Sequence, residues 1–232
     1  MKTRKSSKRN IIDIYNDYKI PLNLQLHQLR VAAVGKLICD NFDIGLSEES
    51  EIKIETENVV IACLLHDMGN IIKFDLKAFP ELLEPKGYEY WKGVQEEFFD
   101  KYGHDEHQAT FKIAKEIGIN DRAFEILNAV GFTNTEKIYR QPDYNKKIIL
   151  YSDQRVDINN VCSLRERLEK GRKRYMTRTL IKNKSTEEQF KKLALCAEKM
   201  EKQIFEKCRI RPEQINDQSA LPVIQQLREI SL

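Results

Sequence analysis

The chain has 232 residues, 41% hydrophobic and 32% charged, enough apolar material for a substantial core and too many charges for a membrane-spanning or disordered protein. A net charge of +3 is too small, taken over the whole chain, to demand a polyanionic partner. The longest apolar run, the seven residues Val59 to Leu65, falls well short of the roughly 20 needed to cross a bilayer, so no membrane partner is expected.

The opening MKTRKSSKRN carries five basic side chains, but it leads into the acid-interrupted IIDIYNDY rather than the apolar stretch of a secretory leader. Residues 1–19 are therefore read as a basic N-terminal segment. Five widely spaced cysteines with no C-x-x-C pair read as reduced core residues, and together with the missing leader they place the protein in the cytoplasm. Nine glycines and six prolines are few, and apolar residues recur at spacings of three and four, which predicts an all-α protein.

In chain order, the spacing predicts a helix over 23–41 with Leu26, Leu29, Ala33, Leu37 and Ile38 near one stripe. A second should run over 57–68, with Thr56 as its N-cap and Gly69 closing it. Its VVIACLL interior is apolar all round and should be buried. Residues 74–102 contain Pro80, Pro85, Gly87 and the single tryptophan, Trp91, and read as loop and short helices whose aromatic residues could wall a pocket. Further helices are expected over 105–117, with Gly118 closing, and over 121–130 and 146–161. A long amphipathic helix should cover 186–208, with Phe190, Leu193, Ala197, Met200 and Ile204 on one face packed against the core. A final helix is expected near 222–230.

Only four histidines occur: His27, His66, His104 and His107. His66 and Asp67 end the apolar VVIACLL run, where desolvation would penalise both unless something compensates them, and a bound cation does so economically. Neighbours on a helix point about 100° apart, so the two can share one ion only where the helix stops, as at Gly69. His27 borders the apolar side of the first helix, where a hydrogen-bonded core histidine is the commoner explanation. Asp153 in IILYSDQRVD also turns inward, and alone would read as a salt-bridged or helix-terminal aspartate.

Taken together, LHQLRVA, ACLLHDMGN and LYSDQRVD form an H…HD…D pattern that resembles the HD-domain superfamily of metal-dependent phosphohydrolases over roughly residues 20–160. The resemblance implies an HD-domain-like helical bundle over 20–160, with additional C-terminal helices over 161–232 packed on that core. It implies His27, His66, Asp67 and Asp153 as metal ligands. Two imidazoles and two carboxylates suit Mn, Fe, Co, Ni or Mg better than a thiolate-rich zinc site. Some members hold a second metal with two further histidines on separate elements. Here His104 and His107 lie three apart and LNAVGFT offers Phe132 instead, so one ion per chain is expected.

The expected activity is hydrolysis of a small phosphorylated metabolite, a nucleotide being the favoured case. Phosphodiester cleavage of dinucleotides is the competing enzyme reading, and a non-catalytic nucleotide- or nucleic-acid-binding module the competing non-enzyme one. Asp67 would orient water, and His104 or His107 would act as general acid, although solvated polar residues at a helix start are as common. Many members have lysine after His-Asp-Met-Gly and the HD-type 5′-nucleotidases a glutamate, whereas this chain has Asn70. Lys73, Arg30 and Arg155 are then the candidates for offsetting substrate charge. Residues 165–184 hold nine basic side chains against two acidic ones. They could follow a nucleic-acid backbone, but with Tyr175 as the sole aromatic no base-stacking platform is expected, and a solvated basic surface is favoured. Oligomeric state is left open.

Overall fold

The computed structural model describes residues 8–43, 52–78, 80–178 and 184–232. Lys2, Arg4, Lys5 and Lys182, counted above among the basic residues, lie outside the described residues. Eleven α-helices and no strand are found among them, with the chain adding 3₁₀ turns at Asn70–Lys73, Pro80–Leu83, Phe132–Asn134 and Pro212–Gln214. The all-α expectation holds.

The centre of the molecule is α2 (Leu22–Asp40), α3 (Thr56–Leu65) and α8 (Tyr144–Asp153), which pack on one another. Val59, Ala62, Cys63, Leu64 and Leu65 of α3 are fully buried. Each fully buried Val or Leu contributes about 1.5–3 kcal/mol, which is why a helix with no polar face is stable here. Gly35 lets the three helices close up. A Cβ there would meet Cys63 Sγ of α3 at 3.1 Å and Ser152 Oγ of α8 at 3.4 Å, so any side chain would push the helices apart.

Electrostatics fix the starts of these helices. Asp143 caps α8, its side chain accepting from the amides of Asn145 and Lys146. Asn145 ties α8 to the chain entering α3, accepting from Glu55 N at 2.8 Å and donating to Lys53 O at 2.9 Å. Arg122, in α6 (Asp121–Leu127), bridges Glu55 and Asp143 at 3.0 Å each.

Several elements differ from the expected ones. The helix expected over 146–161 spans Tyr144–Asp153 and gives way to a turn in which Val156 bridges Val161, and the one expected over 121–130 ends at Leu127. Thr56 is the first residue of α3 rather than its cap, and the helix stops at Leu65, with His66 already at the C-cap. Gly69 does not close it through a left-handed conformation, since its φ is −92°. The 74–102 stretch contains a 16-residue helix, Gly87–Tyr102, which holds Trp91 buried with its indole N–H donating to Leu83 O. The last helix, Asp217–Leu227, starts before Pro222, because Asn216 and Ser219 form a capping box that nucleates it upstream of the proline.

The N-terminal segment contains α1 (Ile11–Asp17), whose Ile11, Ile14 and Tyr15 are fully buried. Tyr15 Oη donates to Leu64 O at 2.6 Å, so residues 11–17 are packed into the core rather than lying apart from it. The C-terminal helices lie against the central ones. Phe190, Leu193, Ala197, Met200 and Ile204 of α10 (Lys184–Phe205) are buried, with α10 lying against α8 and α7 (Thr135–Tyr139). The helix Asp217–Leu227, α11, lies on α2. The final residues return to α1, with Arg9 and Leu232 exchanging two backbone hydrogen bonds of 2.9 Å.

All five cysteines are free: Cys39, Cys63 and Cys162 are buried, and Cys196 and Cys208 half-buried. No helix among the described residues is long and apolar enough to cross a membrane.

Candidate metal centre

The elements that carry His27, His66, Asp67 and Asp153 converge on one point. His27 comes from α2, His66 and Asp67 from the turn that follows α3, and Asp153 is the last residue of α8. Asp153 Oδ1 lies 3.5 Å from Nε2 of both His27 and His66. Asp67 Oδ2 lies 3.6 Å from the same two nitrogens. Among the described residues, His27, His66 and Asp153 form the one tight group of this kind, each offering a ligand atom within 4.8 Å of the others.

These separations are at or beyond the limit of a hydrogen bond. They are close to what ligands on one ion show, since bonds of about 2.1 Å put adjacent ligand atoms roughly 3.0–3.4 Å apart. The state of His66 supports the same reading. Its ring is fully buried, and its Nδ1 lies 2.7 Å from Cys63 O. A carbonyl can only accept, so Nδ1 carries the proton and Nε2 presents a lone pair. That Nε2 is buried with no hydrogen-bond partner, an arrangement that costs stability unless an ion or a water meets it. The residues present therefore fit a divalent cation.

Without an ion the groups hold one another's charge. Burial pushes the His66 pKa down, but the Asp67 and Asp153 carboxylates outweigh it and raise it to about 9. Burial likewise works against an ionised Asp153, and the His27 and His66 rings facing it reverse this, holding it well below the usual carboxylate range.

Positioning comes from Gln28, which the sequence pattern did not single out, and from Gly69, which acts otherwise than as the expected helix stop. Gln28, fully buried beside His27, accepts from Asp67 N at 3.2 Å and so fixes the turn. The signal was an amide in the middle of an apolar helix face. Gly69 lets α5 (Glu106–Ile117) lie on that turn, since a Cβ there would come within 2.4 Å of Glu106 O. Gly69 N donates to Thr110 Oγ1 at 2.9 Å. The glycine is required by close packing and not by backbone conformation.

His27, Asp67 and Asp153 open onto a cavity of about 880 Å³, ample for a phosphorylated metabolite. Lys73 and His107 line it. Lys73 Nζ is 3.4 Å from Glu106 Oε1, and the half-exposed His107 has its Nε2 3.9 Å from the same oxygen. Asn23 and Gln154 also line it, each with a buried side-chain oxygen that has no partner. All three such orphaned atoms among the described residues, His66 Nε2 included, thus belong to this one site.

Three expected site residues are placed elsewhere. His104 is exposed and packs on the Phe99 ring with centroids 4.5 Å apart, away from the cavity, because it precedes α5 while His107 lies within its first turn. Arg30 is half-buried on α2 and does not line the cavity. Arg155 is 2% exposed and fully engaged, donating to Cys162 O, Tyr151 Oη, Pro212 O and Ile215 O. It pins the C-terminal segment to α8 and is not free for substrate. Phe132 lines the cavity and packs against Phe190 and Tyr175.

Most described residues of the basic run are exposed and paired: Arg165 with Glu169 at 3.1 Å, Lys170 with Asp157 at 2.8 Å, and Arg172 with Glu187.

The family model of the HD domain matches residues 25–152, from two residues before His27 to the residue before Asp153. No curated protein and no solved structure gave a significant match. The match covers more than half of the chain and contains the H…HD pattern whose side chains meet in space, and the chain belongs to the HD domain family of metal-dependent phosphohydrolases.

Proposed function

We propose that the protein is a divalent-metal-dependent phosphohydrolase acting on a small phosphorylated metabolite, in the first instance a nucleotide. The observation that carries this reading is the orphaned Nε2 of His66, aimed at His27 and Asp153 beside a cavity large enough for such a substrate. His27, His66, Asp67 and Asp153 would hold one ion, of Mn, Fe, Co, Ni or Mg. When bound, the ion supplies a low-pKa water and polarises a phosphoryl oxygen.

The remaining work falls to the chain's own groups. The Cys63 carbonyl keeps the His66 proton on Nδ1, so the ring cannot turn its N–H toward the site. Asp67 is held by Gln28 and can accept a proton from an attacking water. His107, whose Nε2 lies 3.9 Å from Glu106 Oε1, would protonate a leaving oxygen, and Lys73 would offset phosphate charge.

The test is metal analysis of the purified protein, followed by a panel of mononucleotides, other phosphomonoesters and cyclic or linear dinucleotides. Phosphate release from mononucleotides with about one ion per chain is the expected result. Cleavage of diesters alone would replace this reading with a phosphodiesterase. A metal-free, inert protein that binds RNA would replace it with a binding module.

A further inference from the structure

We infer that Arg167, on the C-terminal extension beyond the HD match, binds an oxyanion of the substrate. The inference rests on the phosphohydrolase reading and adds the residue that selects for the anion. Arg167 lines the same cavity as His27, Asp67 and Asp153. It belongs to α9 (Leu164–Arg178), where Arg165 and Arg172 are paired with Glu169 and Glu187 on the exposed surface.

Three features set it apart. Its Nε donates to Val156 O at 2.8 Å, which holds the guanidinium, while neither terminal NH₂ group has a hydrogen-bond or ion-pair partner among the described residues. The nearby Asp157 carboxylate bonds Lys170 Nζ at 2.8 Å and feels the charge of Arg167 without forming an ion pair with its NH₂ groups. The cavity's lysine, Lys73, and its His107 ring both face Glu106. Gly171, one turn on, also lines the cavity, and a Cβ there would sit 3.9 Å from Arg167 Nη1. A Cβ alone would make only an ordinary contact at that distance, whereas a longer side chain at 171 would reach over that end of the guanidinium.

The anchor is rigid relative to the metal ligands. Val156 is three residues from Asp153 and pairs with Val161 in an antiparallel bridge. The buried Arg155 clamps the same turn through Cys162 O, and Cys162 N returns a hydrogen bond to Arg155 O at 2.8 Å. A planar fork with two free NH₂ groups matches a phosphate or carboxylate edge, which a lysine could not do. The rings of Phe132, Tyr175 and Phe190, with centroids 5.2–6.0 Å apart, line the same cavity and offer an apolar surface to whatever carries the anion.

The test measures binding of inorganic phosphate and of para-nitrophenyl phosphate to the Mn-loaded full chain by calorimetry, alongside hydrolysis of the latter. Arg167→Gln should weaken both ligands by roughly 10- to 100-fold, the size expected when charge-assisted hydrogen bonds are removed, with metal content unchanged. Arg167→Lys should recover only part of this. Gly171→Leu should weaken binding about 5-fold or more while thermal stability holds or rises, since leucine is the better helix former. Arg172→Gln should change neither affinity.

Equal phosphate affinity in Arg167→Gln, Gly171→Leu and the unaltered protein would overturn the inference, as would failure of the unaltered protein to bind phosphate at all. Arg167-dependent phosphate binding without hydrolysis of any ester would retain it and remove the hydrolase reading instead.

Discussion

The cavity has two walls built on different physics. On one side, His27, His66 and Asp153 come from α2, the α3 turn and α8, three elements whose surroundings are almost entirely apolar. On the other, Arg167 and Tyr175 come from α9, a helix whose other described basic side chains, Arg165, Lys170, Arg172 and Lys173, are exposed. In the first wall a polar side chain is costly unless something meets it, so its presence alone carries information. In the second a charged side chain costs little, and only the detailed geometry separates a working arginine from a solvated one. Arg155 and Arg167 show the contrast within 12 positions: the first is consumed by backbone carbonyls and a tyrosine, while the terminal groups of the second have no hydrogen-bond or ion-pair partner among the described residues.

The largest effect should come from breaking the first wall. His66→Ala removes a buried ligand, and we expect metal content to fall from about one ion per chain to a small fraction, with hydrolysis abolished. Chelation should lower the melting temperature of the unaltered protein, because an ion at 100 times its Kd stabilises by about 2.7 kcal/mol. The same treatment should leave His66→Ala unmoved. Full metal occupancy in this variant would remove the proposed centre.

Next in size is the clamp between the walls. Arg155→Met keeps the bulk but leaves three backbone carbonyls and the Tyr151 hydroxyl without their donor. Because hydrogen bonds to a charged group contribute about 1.5–3 kcal/mol each, chemical denaturation should show a loss of at least about 3 kcal/mol. Metal content of the folded fraction should stay near that of the unaltered protein, which separates a structural arginine from a site residue. An Arg155→Met protein of unchanged stability but failing substrate affinity would restore the substrate-binding role expected from sequence.

The first wall was legible because periodicity exposes misfits: His66 and Asp67 after VVIACLL, and Asp153 among inward-facing residues. The positioning groups were harder to read. Gly69 looked like a helix stop, but its role depends on α5 passing directly against it, a long-range fact that no local pattern carries. Sequence favoured Arg155 as a substrate-binding candidate and left Arg167 within a basic run read as solvated surface. Only the bridge between Val156 and Val161 and the return of residues 212–215 to α8 decide which is buried. His104 and His107 differ by three residues, yet the start of α5 turns one toward the cavity and leaves the other on Phe99.

A smaller effect, with a defined pH dependence, is expected at the start of α8, which carries Asp153 at its other end. Burial works against an ionised Asp143, but Arg122 more than offsets this and, with Lys146, lowers its pKa below the ordinary 3.8. A depressed carboxyl contributes stability that is present above its unfolded pKa and is lost as pH falls through its folded one. Asp143→Asn keeps a capable N-cap and removes the charge. It should therefore be less stable than the unaltered protein at pH 7, with the gap closing below about pH 4. A gap that is constant from pH 7 to pH 3 would show that the ion pair with Arg122 contributes nothing.

The smallest effect should come from the exposed face of α9, and it tests whether the second wall works through Arg167 alone. Arg165 and Arg172 point into solvent and toward glutamates, and surface pairs of this kind contribute about 0–1 kcal/mol. Reversing both to glutamate changes the local charge by four units without touching the cavity. If the helix serves only to present Arg167, turnover of a small phosphorylated substrate should stay within about twofold of the unaltered protein at 0.15 M salt, where charges more than about 8 Å away are screened. If instead the helix tracks a nucleic-acid backbone, RNA affinity should drop and its salt dependence should flatten by about 0.7–0.9 for each phosphate no longer neutralised. We expect the first outcome, since Arg165, Lys170 and Arg172 already have acidic partners and the aromatic residue on this helix, Tyr175, is turned inward onto Phe132 and Phe190 rather than outward as a base-stacking platform.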